Sequence, residues 1–146
     1  MKLYLDTCSL HRPLDDKAQV RVALEAEAVL AILALCQTET ATLATSDALW
    51  FEVNHNPHLQ RKAFVSEILA RAALMIEFTE AIEQRAKELE RRGFKALDAL
   101  HLASAEAGAV DYFCTCDDRL LKKAKEQPDL KIGIAAPLEL VQELMP

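Results

Sequence analysis

Among the 23 acidic residues of this chain, four occupy positions that solubility alone does not explain. Asp6 ends the apolar run Leu3-Tyr4-Leu5, and Asp117, with Asp118 beside it, ends Tyr112-Phe113-Cys114-Thr115-Cys116. Asp98 lies inside Phe94-Lys95-Ala96-Leu97-Asp98-Ala99-Leu100-His101-Leu102-Ala103, one of few polar groups on a helix expected to be buried. A carboxylate buried there must be paired, protonated or bound to a cation. Glu52 sits between Phe51 and Val53. Acids drawn from separate segments are the ligands that hard cations such as Mg2+ or Mn2+ prefer, together with water and phosphate oxygens. An ion held in this way turns water into a nucleophile and neutralises charge on a phosphodiester.

Each acid also has a plainer reading. Asp6 suits a helix cap, and so does either Asp117 or Asp118, leaving the other to bind. Asp98 has His101 as its i+3 neighbour on the same helical face, which makes an ion pair natural. Glu52 alone stands barely above background. The four together favour a shared site, because an isolated cap does not require the other three. His55 and His58 flank Asn56-Pro57 and lack partner cysteines, so they read as a loop or helix start rather than a zinc site.

The elements that must position these acids follow from the apolar pattern. Lys2 to Leu5 reads as a first strand, and Asp15 and Asp16 offer caps for a long helix from Lys17 to Gln37. Its second half is apolar all round, which implies burial in the core or against a partner subunit. Thr40 to Thr45 is a second strand, and Ser46 or Asp47 caps the helix that carries Glu52. Glu52 then lies roughly 9 Å along the helix axis from Ser46. Pro57 starts a helix to about Ala73, Met75 to Phe78 is a third strand, and Thr79 caps a charged helix to Arg92 that Gly93 stops. Lys95 to Ala109 is the Asp98 helix, Tyr112 to Thr115 a fourth strand, Asp118 to Glu126 a basic helix, and Ile132 to Ala135 a fifth strand. Pro137 opens a terminal helix. Strands separated by helices predict a parallel sheet covered on both faces. In such sheets ligands gather at the carboxyl ends of the strands, where Asp6 and Asp117 fall.

Composition sets the limits. The 146 residues read as one domain, 1–146, with a self-sufficient core, half apolar and about a quarter charged. A net charge of −6 speaks against a surface coated in basic residues, but an acidic metal cluster contributes to that count. No apolar run is long enough to span a bilayer and no secretory leader is visible, so a cytoplasmic protein with four free thiols is expected. Cys114 and Cys116 alternate on the fourth strand and are expected to share one buried face.

Leu5-Asp6-Thr7, Ser46 leading to Glu52, Asp98-Ala99-Leu100-His101-Leu102-Ala103-Ser104-Ala105 and Thr115-Cys116-Asp117 resemble the PIN domain over essentially the whole chain, most of all its small VapC-like ribonucleases. The resemblance implies an α/β/α sandwich around a mainly parallel sheet of four to five strands. It also implies a metal-dependent endoribonuclease that leaves a 5′-phosphate and a 3′-hydroxyl. Metal-binding and catalytic roles carry over to Asp6, Glu52, Asp98 and Asp117, with Mg2+ or Mn2+ as cofactor and Thr7 and Thr115 as supporting hydroxyls. RNA as substrate, a small antitoxin as partner and a homodimer are further implications. The chain departs from the pattern at Cys8, where the family often has Asn or Ser.

Basic residues near the acids are candidates for steering a phosphate backbone: Arg12, Arg91, Arg92, Lys95, Arg119, Lys122 and Lys123. Each cluster reads equally well as a solvated helix face and stays outside the catalytic set. Receiver domains and haloacid-dehalogenase-like phosphatases also place Asp after a strand. The latter expects a second Asp where Cys8 stands, and the former an acidic pair that the first strand lacks. The remaining alternative is a non-catalytic PIN-fold binding module or scaffold for RNA or a protein.

Overall fold

A computed structural model describes residues 1–145. Its centre is a sheet of five parallel strands in the order β3-β2-β1-β4-β5, formed by β1 (Lys2–Leu5), β2 (Thr42–Ser46), β3 (Leu74–Ile76), β4 (Tyr112–Cys114) and β5 (Gly133–Ala135). The connecting helices are α1 (Thr7–His11), α2 (Val20–Gln37), α3 (Asp47–Asn54), α4 (Leu59–Ala70), α5 (Glu80–Arg91), α6 (Ala96–Ala107), α7 (Asp118–Lys125) and α8 (Pro137–Leu144). α2 packs on α8, and α5 on α6, so helices flank the sheet as the expected α/β/α arrangement requires.

The chain runs outward from β1 to β2 and β3, then returns to pair β4 on the other side of β1. Between β1 and β4 the strand order therefore reverses, which opens the crevice where open α/β sheets hold ligands. β1 is the middle strand, and Leu3, Tyr4 and Leu5 are all buried, as a strand covered on both faces must be. Tyr4 stacks on Phe113 of β4 with ring centroids 5.5 Å apart and planes 19° from parallel.

Most element boundaries follow local signals. The Thr79 hydroxyl accepts the Ile82 N–H and starts α5. Gly93, at φ 98°, ends it, with the Phe94 N–H returning to the Leu89 carbonyl at 3.3 Å. Ser46, rather than Asp47, caps α3, accepting the Leu49 N–H at 3.0 Å.

Other expectations are corrected. Neither Asp15 nor Asp16 caps α2, whose N-cap is Gln19; the Asp16 carboxylate instead accepts the Ala18 N–H in a turn. Asn56 closes a similar turn on the His58 N–H, so α4 starts after Pro57, at Leu59. β4 ends at Cys114, which leaves Cys116 outside the strand, although both thiols are buried. The segment after Asp6, where the apolar pattern marks no element, forms the five-residue helix α1 and a 3-10 turn at Arg12–Leu14. The apolar part of α2 is divided, with Val29 and Ile32 in the core and Leu30 44% exposed.

Phe113 is fully buried against Tyr4, so Phe113→Ala removes a core ring without an obvious means of collapse. It is expected to cost about 3–5 kcal/mol, read as a lower urea midpoint with an unchanged slope.

Candidate active site

Asp6 is the first residue beyond β1, and its N–H continues the ladder to the Cys114 carbonyl at 3.1 Å. Its carboxylate turns back over α1, where Oδ1 accepts the Ser9 N–H at 3.0 Å and the Cys8 thiol at 3.1 Å. Cys8 therefore supplies a donor to Asp6 from the position where the resemblance leads one to look for an amide or hydroxyl. Asp6 is buried, and burial holds its carboxyl well above the usual carboxylate range; the nearby Cys8 sulfur adds to the effect and the Thr115 hydroxyl opposes it.

Asp117 follows β4 by three positions and caps α7, its Oδ1 accepting the N–H groups of Arg119 and Leu120 at 2.9 and 3.2 Å. The Thr115 hydroxyl accepts the Asp117 N–H at 3.1 Å and so fixes the turn between strand and helix. Asp118 is engaged elsewhere, in a bidentate bond to Arg21 at 2.6 and 2.7 Å, rather than in the binding role left open for the member of the pair that does not cap.

Asp98 and Glu52 enter from helices on the same side. α6 packs on α3, which brings Glu52 Oε1 within 2.7 Å of His101 Nε2. The expected Asp98–His101 ion pair does not form; His101 turns instead toward Glu52 and Tyr4. Burial would raise Glu52, but the hydrogen bond from His101, the charge of that ring and the Thr7 hydroxyl outweigh it, leaving the carboxyl below its ordinary value. Asp98 is half-buried on the first turn of α6, where Leu97 beside it is exposed. Its carboxyl is raised, first by burial and then by the charge of Asp117.

Asp98 thus feels the charges of both Asp117 and Glu52, and Tyr4 lies within reach of those of Asp6 and Glu52. Among the described residues, no three His, Cys, Asp or Glu side chains are close enough to share one ion as they stand. His55 and His58 form no such group either. The chemistry of the donors nonetheless suits a hard cation. All are carboxylate oxygens, and the hydrogen bonds that fix Asp6, Asp117 and Glu52 fall on Oδ1, Oδ1 and Oε1, so the second oxygen of each takes no part in them. A divalent ion would also relieve the repulsion that raises Asp98.

Several candidate phosphate contacts are otherwise engaged. Arg12 is held by Asp15 at 3.0 Å and by the buried Glu25 at 3.2 Å. Arg92 is held by Glu88 and Asp129, and Lys123 lies over the Phe94 ring, 5.3 Å from its centroid. Lys95, Arg119 and Lys122 remain exposed beside Asp98 and Asp117 along the chain.

The PIN domain family model matches residues 3–126, which spans all four acids. The chain belongs to the PIN domain family. Solved structures similar to this PIN domain include VapBC2 from Rickettsia felis bound to a DNA fragment from their promoter (TM-score 0.61, 18% identity, 93% of this chain and 98% of that one). FitAcB from Neisseria gonorrhoeae is similar over the same shares, at TM-score 0.57 and 18% identity. VapC20 from Mycobacterium tuberculosis, a sarcin-ricin loop cleaving toxin, aligns at TM-score 0.55 and 15% identity over 81% of this chain and 92% of that one. At these identities the likeness is one of fold. No curated protein matches the chain significantly. No helix of the described PIN domain is long and apolar enough to cross a membrane.

Because the folded state keeps a proton on Asp6 more readily than the unfolded chain does, it binds more protons from the ordinary carboxylate range up to the raised Asp6 value. Stability of the metal-free protein is therefore expected to fall as pH rises through that window. Asp6→Asn keeps an oxygen for the Ser9 cap and is expected to flatten the fall and to match or exceed wild-type stability at neutral pH. Denaturant midpoints across a pH series measure this; an Asn variant clearly weaker than wild type at neutral pH would mark Asp6 as a purely structural cap.

Proposed function

We propose that this PIN domain is a divalent-metal-dependent endoribonuclease, acting as the toxin of a toxin–antitoxin pair. The observation that supports the reading is that Asp6 and Asp117 follow the ends of the paired strands β1 and β4, while Asp98 on α6 feels the charges of Asp117 and of Glu52 on α3. The family match and the fold-level likeness to a VapBC assembly and to a toxin that cleaves the sarcin-ricin loop support it.

In this reading Asp6, Asp98 and Asp117 would hold Mg2+ or Mn2+, and Glu52 would help hold that ion or a second one that arrives with RNA. When bound, the ion supplies an acidified water and charge neutralisation at the scissile phosphate. The chain supplies the rest. The Ser9 N–H and Cys8 thiol orient Asp6, the first turn of α7 orients Asp117, and His101 holds Glu52. A carboxylate of the cluster takes the proton of the attacking water. Lys95, Arg119 and Lys122 hold the phosphate backbone, and they carry no base preference because phosphate contacts position without specifying sequence. Attack breaks the P–O3′ bond, the departing 3′ oxygen takes a proton from solvent, and the products carry a 5′-phosphate and a 3′-hydroxyl. An antitoxin segment and a second copy of the chain are the proposed protein partners, in the cytoplasm.

One observation favours a second reading, a non-catalytic scaffold: each of Asp6, Asp117 and Glu52 already makes a hydrogen bond within the fold, and among the described residues no three acids share an ion as they stand.

The two readings separate on incubation of the pure protein with mixed RNAs and Mn2+, Mg2+ or EDTA, beside Asp6→Asn and Asp98→Asn. Cleavage is expected with either ion, absent in EDTA, and lowered at least about 100-fold in both variants, the scale of losing one group that acts on transition-state charge. Cleavage that persists in EDTA or in both variants would sink the metal–carboxylate proposal; RNA binding that needs no metal and ignores Asp98→Asn would favour the scaffold.

A further inference from the structure

Behind Glu52 a line of hydrogen bonds runs into the interior. The Leu49 N–H donates to Ser46 Oγ at 3.0 Å, Ser46 Oγ lies 2.7 Å from the Tyr4 hydroxyl, Tyr4 lies 2.6 Å from His101 Nδ1, and His101 Nε2 lies 2.7 Å from Glu52 Oε1. Ser46 and Tyr4 are fully buried and His101 is 2% exposed, so no solvent substitutes for any member of the line.

The protons in this line have little choice. The Leu49 amide can only donate, so Ser46 Oγ accepts there and has its own proton to give. If that proton goes to Tyr4, the phenol donates to Nδ1, and a neutral imidazole must then carry its proton on Nε2, aimed at Glu52. The reverse order puts a proton on Nδ1; a neutral ring would then leave a bare Nε2 lone pair facing a carboxylate at 2.7 Å, which repels, and a charged ring carries a proton on Nε2 as well. A buried phenol hydroxyl keeps its proton, so Tyr4 remains a donor throughout.

We propose that His101 is a positioning residue for Glu52: Tyr4 and Ser46 dictate a proton on Nε2, and that N–H holds the carboxylate by Oε1 so that Oε2 is presented in one orientation. What Glu52 then does rests on the nuclease reading; how it is held does not. A histidine that orients a carboxylate through one nitrogen while its other nitrogen is fixed by a buried hydroxyl follows the logic of outer-shell support at metal sites. The arrangement joins β1, the end of β2, α3 and α6, whereas an ordinary satisfied core histidine needs only one of these contacts.

The test begins with wild-type, metal-free protein. Nitrogen-15 NMR of the imidazoles is expected to show His101 protonated at Nε2; an unprotonated Nε2 overturns the proposal, and this arm depends on no variant folding. The second arm titrates Mn2+ alone into wild type and four variants and follows RNA cleavage in parallel. His101→Asn reaches Tyr4 but is too short for Glu52, whereas the amide of His101→Gln reaches the Nε2 position. His101→Asn is expected to weaken Mn2+ binding about 10- to 100-fold, as Glu52→Gln does, with the double variant no weaker than either and His101→Gln close to wild type. A folded His101→Asn with wild-type Mn2+ affinity, or losses that multiply in the double variant, overturns the proposal. Where Glu52→Gln is impaired but His101→Asn is not, the positioning role fails alone. Where Glu52→Gln leaves both metal binding and cleavage unchanged, the nuclease role of Glu52 falls with it.

Discussion

A phenol hydroxyl buried on the middle strand of a sheet has to find partners inside the protein, because leaving it unpaired costs about 1–3 kcal/mol. Tyr4 finds them in Ser46 and His101, which lie 42 and 97 positions away in the chain. Those two bonds fix the end of β2 and the rotation of α6 relative to β1. Ser46 in turn starts α3, and His101 meets the side chain that α3 delivers. The position of Glu52 is thus a consequence of satisfying Tyr4, and the stacking of Tyr4 on Phe113 ties the same point to β4, the strand that leads to Asp117.

Asp6, Asp117 and Glu52 each serve the fold through a hydrogen bond to one carboxylate oxygen. Asp6 and Asp117 begin helices that follow their strands, a local arrangement that locks each side chain in one rotamer and faces it with backbone N–H groups. Such locking is what a site needs for pre-organisation. It also has a cost. Burial holds the carboxyl of Asp6 far above its ordinary range, and the charge of Asp117 adds to burial at Asp98. Perturbed acids beside the crevice of an open α/β sheet point toward function. The cations divide as well: Arg12, Arg92 and Lys123 are engaged within the structure, Lys95, Arg119 and Lys122 are exposed near Asp98 and Asp117 along the chain, and Arg91 is exposed at the end of α5.

Much of this was legible in the amino-acid sequence. β1 spans Lys2–Leu5 as its apolar run demands, and Thr79, Gly93 and Pro137 mark helix ends as read, because caps and stops act over three or four residues and need no distant partner. The alternation of strands and helices was sufficient for a parallel sheet, and the four acids were picked out by the apolar company they keep. What escaped is also local. α1 is five residues long, too short for a hydrophobic period, although Asp6 followed by Ser9 at capping distance was its signal. Asp15 and Asp16 looked like caps for α2 but lie in a turn before it.

The tertiary structure decided which polar groups pair. Along α6, helical spacing puts Asp98 and His101 on neighbouring turns, and an ion pair between them was the plainer of the two readings of Asp98. The packing of α6 on α3 turned His101 to Glu52, 49 positions away. Helical periodicity determines which residues share a face, but only the neighbouring element determines what that face meets. Cys8 makes the same point from the other side: its departure from the resemblance was visible in the sequence, but its thiol donating to Asp6 became visible only once α1 folded back over the end of β1. The sequence by itself determined the elements and the acids, through short-range patterns. The hydrogen bonds that aim those acids depend on long-range packing, and no local pattern encodes them.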